Sequence, residues 1–163
     1  EADTINPDYL IVDTPGQIEL FAYRQSGPFF VQNFEAEEKM NLFLFDGTMV
    51  STPSNFVSLM LLSTSIRLRL GLPTVNVITK TDLIEEKLQQ VLSWSGTDSK
   101  LEADLAGEVN GDTFSLVSDM LTSINRNDFQ QDLIPVSNAT GDGMVNLQSA
   151  LSRTINLGEE IED

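Results

Sequence analysis

A chain of 163 residues is long enough to bury one sizeable core, and the absence of Cys and His excludes disulfides, zinc fingers, thiol nucleophiles and Ser-His-Asp triads. Its 25 acidic and 9 basic residues leave a net charge of −16, with the acids scattered along the sequence, which excludes the basic stripe of a direct nucleic-acid surface. With 40% hydrophobic residues the acids read as the solvated surface of a globular core, and adaptation to a high-salt cytoplasm is the alternative.

The first predicted element is a strand over residues 9–12 (Tyr-Leu-Ile-Val), apolar on both faces and leading into Asp13-Thr14-Pro15-Gly16-Gln17-Ile18-Glu19. A helix is expected over 17–34, broken at Gly27-Pro28, followed by a second apolar strand at 41–45. The stretch 47–66 is uncharged, but Pro53 and its repeated Ser, Thr and Asn make it a poor membrane span. A helix over 54–70 has its stop signal in Gly71 and Pro73. A third strand at 74–78 and a helix at 83–92 continue the alternation.

Residues of about 95–131 break that rhythm. Ser99-Lys100-Leu101-Glu102 matches a capping box, and Phe114, Val117, Leu121 and Ile124 fall on one helical face, so the segment reads as two helices hinged near 107–111. A lid over the sheet edge and a partner-binding surface are equally open roles for it. A fourth strand at 133–136, a helix at 145–155 and a frayed tail at 158–163 complete the chain. The pattern predicts one α/β domain over 1–163, a mostly parallel sheet with helices on both faces plus a helical insertion. No signal-peptide pattern stands at the start, and a cytoplasmic location is expected.

In such folds ligands bind at the carboxyl ends of the strands, and three strand ends carry polar groups. Asp13 can reach a Mg²⁺ ion, directly or through a water, because a hard cation seeks oxygen ligands. Gly16 lets a backbone N–H approach a terminal phosphate, and the Gln17 amide stands where it can orient an attacking water. An Asp-x-x-Gly by itself also describes an ordinary turn. Asp82, in Thr79-Lys80-Thr81-Asp82, can accept two N–H bonds from the N1 and exocyclic amine edge of guanine, with the Lys80 stem over the purine face. The plain alternative for Asp82 is a helix N-cap. In the loop from Ser137 to Gly143 the Asn138 N–H can donate to guanine O6 while Ser137 shapes the turn; otherwise this is a Gly-rich loop opening a helix.

Taken in order, Asp-Thr-Pro-Gly-Gln-Ile-Glu at 13–19, Thr-Lys-Thr-Asp at 79–82 and Ser-Asn-Ala-Thr-Gly-Asp-Gly at 137–143 resemble the P-loop GTPase class, most closely the GPN-loop GTPase family. The resemblance implies a P-loop NTPase-like fold and Mg²⁺-dependent hydrolysis of GTP to GDP in a homodimer. For eukaryotic members it implies protein clients such as RNA polymerase assembly factors. Carried onto this chain, it gives Asp13 to the metal, Gly16 to the γ-phosphate, Gln17 to the attacking water and Glu19 to its support. Thr79, Lys80, Asp82, Ser137 and Asn138 go to guanine. Thr79 replaces a more usual Asn, which puts more of the base affinity on Asp82, and Asn138 stands where Ala is usual.

The phosphate cradle Gly-x-x-x-x-Gly-Lys-Ser/Thr occurs nowhere in these residues, since Lys39, Lys80, Lys87 and Lys100 follow Glu, Thr, Glu and Ser. Gly27-Pro28-Phe29 is not a Gly-Pro-Asn loop either. The expectation is the C-terminal part of a longer GTPase, inactive alone, with a missing strand between those at 9–12 and 41–45 and two edges left unpaired. The competing reading is a non-hydrolysing scaffold that keeps the GTPase fold for protein partners.

Overall fold

The computed structural model describes residues 9–14, 16–95, 100–125 and 133–156, and it divides into two compact units, Glu1–Glu35 and Ala36–Asp163.

In the first unit, α1 (Ile18–Tyr23) and α2 (Ser26–Asn33) form a helical pair. Residues 9–12 are not the strand that their apolar run predicts: Tyr9 is 75% and Ile11 93% exposed, and the backbone is irregular. A strand that is apolar on both faces is stable only with ladder partners and covering layers, and no described residue pairs with this one. The helix break falls at Arg24-Gln25 rather than at Gly27-Pro28, because Arg24 leaves the helix with extended φ and ψ. Pro28 instead sits in the first turn of α2, where a missing N–H costs nothing. Gly27 is there for contact: a Cβ at this position would lie 2.1 Å from the Phe21 carbonyl oxygen, so only glycine lets α2 cross α1 so closely. Ala22 is fully buried, and the Phe21, Phe30 and Phe34 rings follow one another at 6.5 and 5.3 Å.

The second unit is the predicted parallel sheet. Strands β1 (Asn41–Asp46), β2 (Thr74–Thr79) and β3 (Leu133–Pro135) lie in the order β1-β2-β3, both pairs parallel, with Asp46 opposite Thr79 and Ile78 opposite Pro135. Between β1 and β2 runs α3 (Pro53–Leu70), opened by Pro53 in its first turn and ended by Gly71 in the left-handed region at φ 67°. The polypeptide then forms a 3-10 turn (Thr81–Leu83), α4 (Glu85–Ser93), α5 (Leu101–Ala106) and α6 (Gly111–Asn125) before β3, and closes with α7 (Met144–Asn156).

Alternation along the strands sorts the side chains into two faces. Val75, Val77, Ile134 and Val136 pack with Ala150 of α7 and with Met144, Leu147 and Leu151. Asn76, on the other face, is fully buried, and its Oδ1 accepts a 2.7 Å hydrogen bond from Ser63 of α3, which keeps a polar residue in the central strand satisfied. β1 departs from the expectation of burial on both sides. Phe43 and Phe45 are buried, but Leu42 is 37% and Leu44 60% exposed, since the cluster under α7 is built on β2 and β3.

The helical insertion is present, with its two helices meeting at 107–110 as predicted. Ser99 of the expected capping box, and the side chains of Leu121 and Ile124, lie outside the described residues, whereas Phe114 and Val117 are half-buried. Leu101 and Leu105 of α5 are core residues. The insertion is also tied down by carboxylates: Asp104 accepts from Trp94 Nε1 at 2.7 Å and Gln90 Nε2 at 3.1 Å, and Glu108 accepts the Ser54 N–H at 3.1 Å. Among the described residues no helix is long and apolar enough to cross a membrane.

Candidate functional site

Because the sheet is parallel, β1, β2 and β3 bring their carboxyl ends to one edge, and each ends in a polar residue or loop. β2 passes at Thr79 into Lys80, which adopts φ 57° and ψ 37°, a conformation uncommon for a residue with a Cβ. That left-handed step turns the backbone directly into the 3-10 turn carrying Asp82, closed by Leu83 N–H to the Lys80 carbonyl at 3.0 Å. Thr79 donates its hydroxyl to the Phe45 carbonyl at 3.1 Å and accepts the Gly47 N–H on its own carbonyl at 2.9 Å, so it ties the tip of β2 to the tip of β1.

The loop after β3 docks onto that turn. Val136 donates its N–H to the Ile78 carbonyl at 2.8 Å, and Thr81 donates to the Val136 carbonyl at 3.3 Å. Ser137 is 1% exposed and uses its hydroxyl three times: it donates to Asp82 Oδ1 at 2.5 Å and accepts the N–H groups of Ala139 and Thr140, each at 3.2 Å. Gly143 closes the loop at φ 79°, where a Cβ would stand 1.9 Å from the Pro135 carbonyl oxygen.

Lys80, Asp82, Ser137 and Asn138 thus lie on the loops that follow β2 and β3, with Asp82 and Ser137 in direct contact. The Asp82 Oδ2 oxygen takes no hydrogen bond from the described residues. The exposed Asn138 likewise donates its N–H to none of them. A fixed carboxylate beside an available backbone N–H is a donor–acceptor pattern suited to the guanine edge, whose N1–H and amine donate while O6 accepts.

The sequence reading passed over Asp46. Its Oδ2 lies 2.6 Å from Lys80 Nζ, and its Oδ1 accepts both the hydroxyl and the N–H of Thr48, at 2.7 and 2.9 Å. The Lys80 hydrogen bond, then that of the Thr48 hydroxyl, hold its carboxyl well below the usual range, down to about 2. The signal was available: like Asp13, Asp46 directly follows an apolar run in the sequence, and it ends β1.

The residues assigned to the phosphate end belong to the first unit. Asp13, Gly16 and Gln17 are exposed, and Gln17 starts α1 through its backbone carbonyl rather than by a side-chain cap. Among the described residues nothing lies within 4 Å of a Cβ added at Gly16. Glu19 falls in α1, and its side chain lies outside the described residues. Among the described residues no cluster of three or more His, Cys, Asp or Glu could hold a metal ion. Asp13 is an exposed carboxylate, the oxygen donor type that a hard cation such as Mg²⁺ takes alongside its own waters.

Comparison with known proteins bears on the same motifs. Residues 1–157 match the model of a family described as a conserved hypothetical ATP binding protein. GPN-loop GTPase 1 of Saccharomyces cerevisiae is 28% identical over 155 residues, 89% of this chain and 40% of the yeast protein. GPN-loop GTPase QQT2 of Arabidopsis thaliana is 31% identical over 140 residues, 84% of this chain and 36% of that protein. The chain thus spans well under half the length of these curated relatives. The crystal structure of a GTPase from Pyrococcus abyssi in its apo form superposes with a TM-score of 0.71 at 22% identity, over 87% of this chain and 56% of that one, which establishes a shared fold. With the family match covering nearly the whole chain and the three motifs in their order, the chain belongs to the GPN-loop GTPase family.

Proposed function

We propose that this chain supplies the guanine-reading and γ-phosphate-sensing segments of a Mg²⁺-dependent GTPase. The observation that carries the reading is Asp82, held at the tip of β2 by the buried Ser137 hydroxyl and accompanied by the available Asn138 N–H. The family description speaks of ATP while the relatives are named GTPases, and the chemistry of Asp82 favours the second. A carboxylate accepts from guanine N1–H and the 2-amine, whereas adenine turns an unprotonated N1 toward it and is repelled.

On the phosphate side, Asp13 is the residue to hold Mg²⁺, through an oxygen or a bound water, and the ion would neutralise charge developing on the phosphates. The Gly16 N–H donates to the terminal phosphate, and the Gln17 side-chain carbonyl oxygen accepts a hydrogen bond from the attacking water to align it, with Glu19 supporting it. No Gly-Lys pair occurs in the 163 residues, so this chain is expected not to hydrolyse GTP by itself. On family grounds we further propose a homodimer in the cytoplasm and, for a eukaryotic member, clients in RNA polymerase assembly.

The absence of a Gly-Lys pair also favours a second reading, a scaffold that no longer hydrolyses nucleotide. Titration with GTP and ATP in the presence of Mg²⁺ separates the two, using this chain and the same chain joined to a P-loop segment. GTP binding and turnover by the joined chain, with selectivity over ATP collapsing in Asp82→Asn, supports the GTPase. Selectivity unchanged in that variant removes the base assignment, and no binding by either chain leaves the scaffold.

A further inference from the structure

Lys80 reaches across the sheet edge. Its ammonium meets Asp46 Oδ2 at 2.6 Å while its side chain stays 57% exposed. Asp46 cannot swing with it, because the other oxygen is fixed by the Thr48 N–H and hydroxyl, and Asp46 stands opposite Thr79 in the register of β1 and β2. The left-handed backbone at Lys80 aims the residue, and the clamped carboxylate fixes its far end. A four-carbon stem anchored at both ends is an ordered apolar strip. A free lysine must instead lose its rotamer freedom when a base settles on it.

We propose that Asp46 is a positioning residue for base binding, which acts by pinning Lys80 so that its stem forms a preformed platform for the purine face. The inference rests on the guanine-site reading and deepens it: Asp82 reads the edge of the base, while the Asp46–Lys80 pair supports its face. It separates two jobs that one loop performs. A platform is blind to the exocyclic amine; an edge reader is not.

The test is NMR titration of the full chain, which resolves weak binding, with GDP and with IDP, whose base lacks the 2-amine. Asp46→Ala is expected to weaken both by the same factor, about fivefold to tenfold, without moving the urea midpoint enough to account for it. Lys80→Met keeps a stem but loses the anchor, so it should show a similar loss, and Asp46→Ala added to it should cost nothing more. Asp46→Glu should recover part of the affinity. Asp46→Asn, which retains an acceptor for Thr48, serves if the alanine variant does not fold. Wild-type affinity in the Asp46 variants, additive losses in the double variant, or a loss confined to GDP would each overturn the proposal. If neither this chain nor the chain joined to a P-loop segment binds either nucleotide, the guanine-site reading falls first and the platform with it.

Discussion

Replacing Ser137 by Ala removes one oxygen atom and three hydrogen bonds, and the structure allows the cost to be worked out. The bond to Asp82 Oδ1 is 2.5 Å long and made to a carboxylate, the class worth about 1.5–3 kcal/mol. Asp82 is only half-buried and regains water, which argues for the lower half of that range. The N–H groups of Ala139 and Thr140 sit at 3.2 Å and belong to exposed residues, so water replaces Ser137 there with little loss. The expected destabilisation is about 1.5–2 kcal/mol. With a urea m-value of roughly 2 kcal/mol/M, that is a midpoint shift of about 0.8–1 M at unchanged slope. Urea unfolding followed by far-UV circular dichroism measures it, with the exposed Ser152→Ala as a control expected within about 0.5 kcal/mol of wild type. A double-mutant cycle with Asp82→Ala should return a coupling of about 1 kcal/mol or more. If Ser137→Ala shifts the midpoint no more than Ser152→Ala, Ser137 does not hold Asp82 and the account of the base loop fails.

Gly143→Ala should cost more than about 3 kcal/mol in urea unfolding, since a left-handed conformation and a Cβ 1.9 Å from the Pro135 oxygen act together, whereas Gly141→Ala, at φ 82° in open space, should cost about 1–2 kcal/mol. The Asp46 carboxyl, depressed from 3.8 to about 2 in the folded state, adds stability that is present above about pH 4 and lost as the pH falls toward 2. The shift corresponds to roughly 2 kcal/mol before screening, and the 57% exposure of Lys80 reduces this to about 1 kcal/mol or less. The difference in unfolding free energy between wild type and Lys80→Met should therefore narrow between pH 5 and about pH 2, and a difference independent of pH would contradict it. Leu105→Ala, at a 1% exposed position of α5, should cost about 2–5 kcal/mol, while Leu116→Ala, at a 57% exposed position of α6, should be near neutral; equal effects would mean that α5 is no part of the core.

Much of the second unit was legible because its signals are local. The stop at Gly71, the apolar runs of β2 and β3 and the hinge between α5 and α6 depend on residues a few positions apart. What was misjudged depends on neighbours far away in the sequence. An apolar run at 9–12 specifies a strand only where other strands pair with it, and no propensity within the run supplies them. Leu42 and Leu44 look as core-like as Phe43 and Phe45, and the absence of α7 from their end of the sheet decides otherwise. Arg24 ended a helix that Gly27-Pro28 was expected to break, because a proline in a first turn starts a helix as readily as it stops one. The sequence motifs point to Asp82, Ser137 and Asn138, and the structure brings Asp82 and Ser137 together, whereas Asp46 stands in no such motif and shows its place only through its contact with Lys80.

The two groups of candidate residues differ in how they are held, and the difference matches the work proposed for each. In the second unit Asp82 is fixed by Ser137, Lys80 by Asp46 and Thr79 by the Phe45 carbonyl, all without a ligand. A base meeting such groups loses little to ordering the protein, which is how recognition of a small, flat ligand gains affinity and selectivity. In the first unit Asp13 and Gln17 are exposed, and the described residues offer their side chains no hydrogen bond. A segment that must report on one phosphate has the opposite requirement. Were Asp13 and Gln17 already locked by protein contacts, a γ-phosphate would make little difference to their state, since a ligand shifts an equilibrium only by its differential affinity for the two conformations. Nucleotide switches accordingly draw their order from phosphate and metal contacts. On this reading the base-binding groups should keep their arrangement in GDP, GTP and free states, and nucleotide-dependent change should be confined to the segment around Asp13 to Gln17.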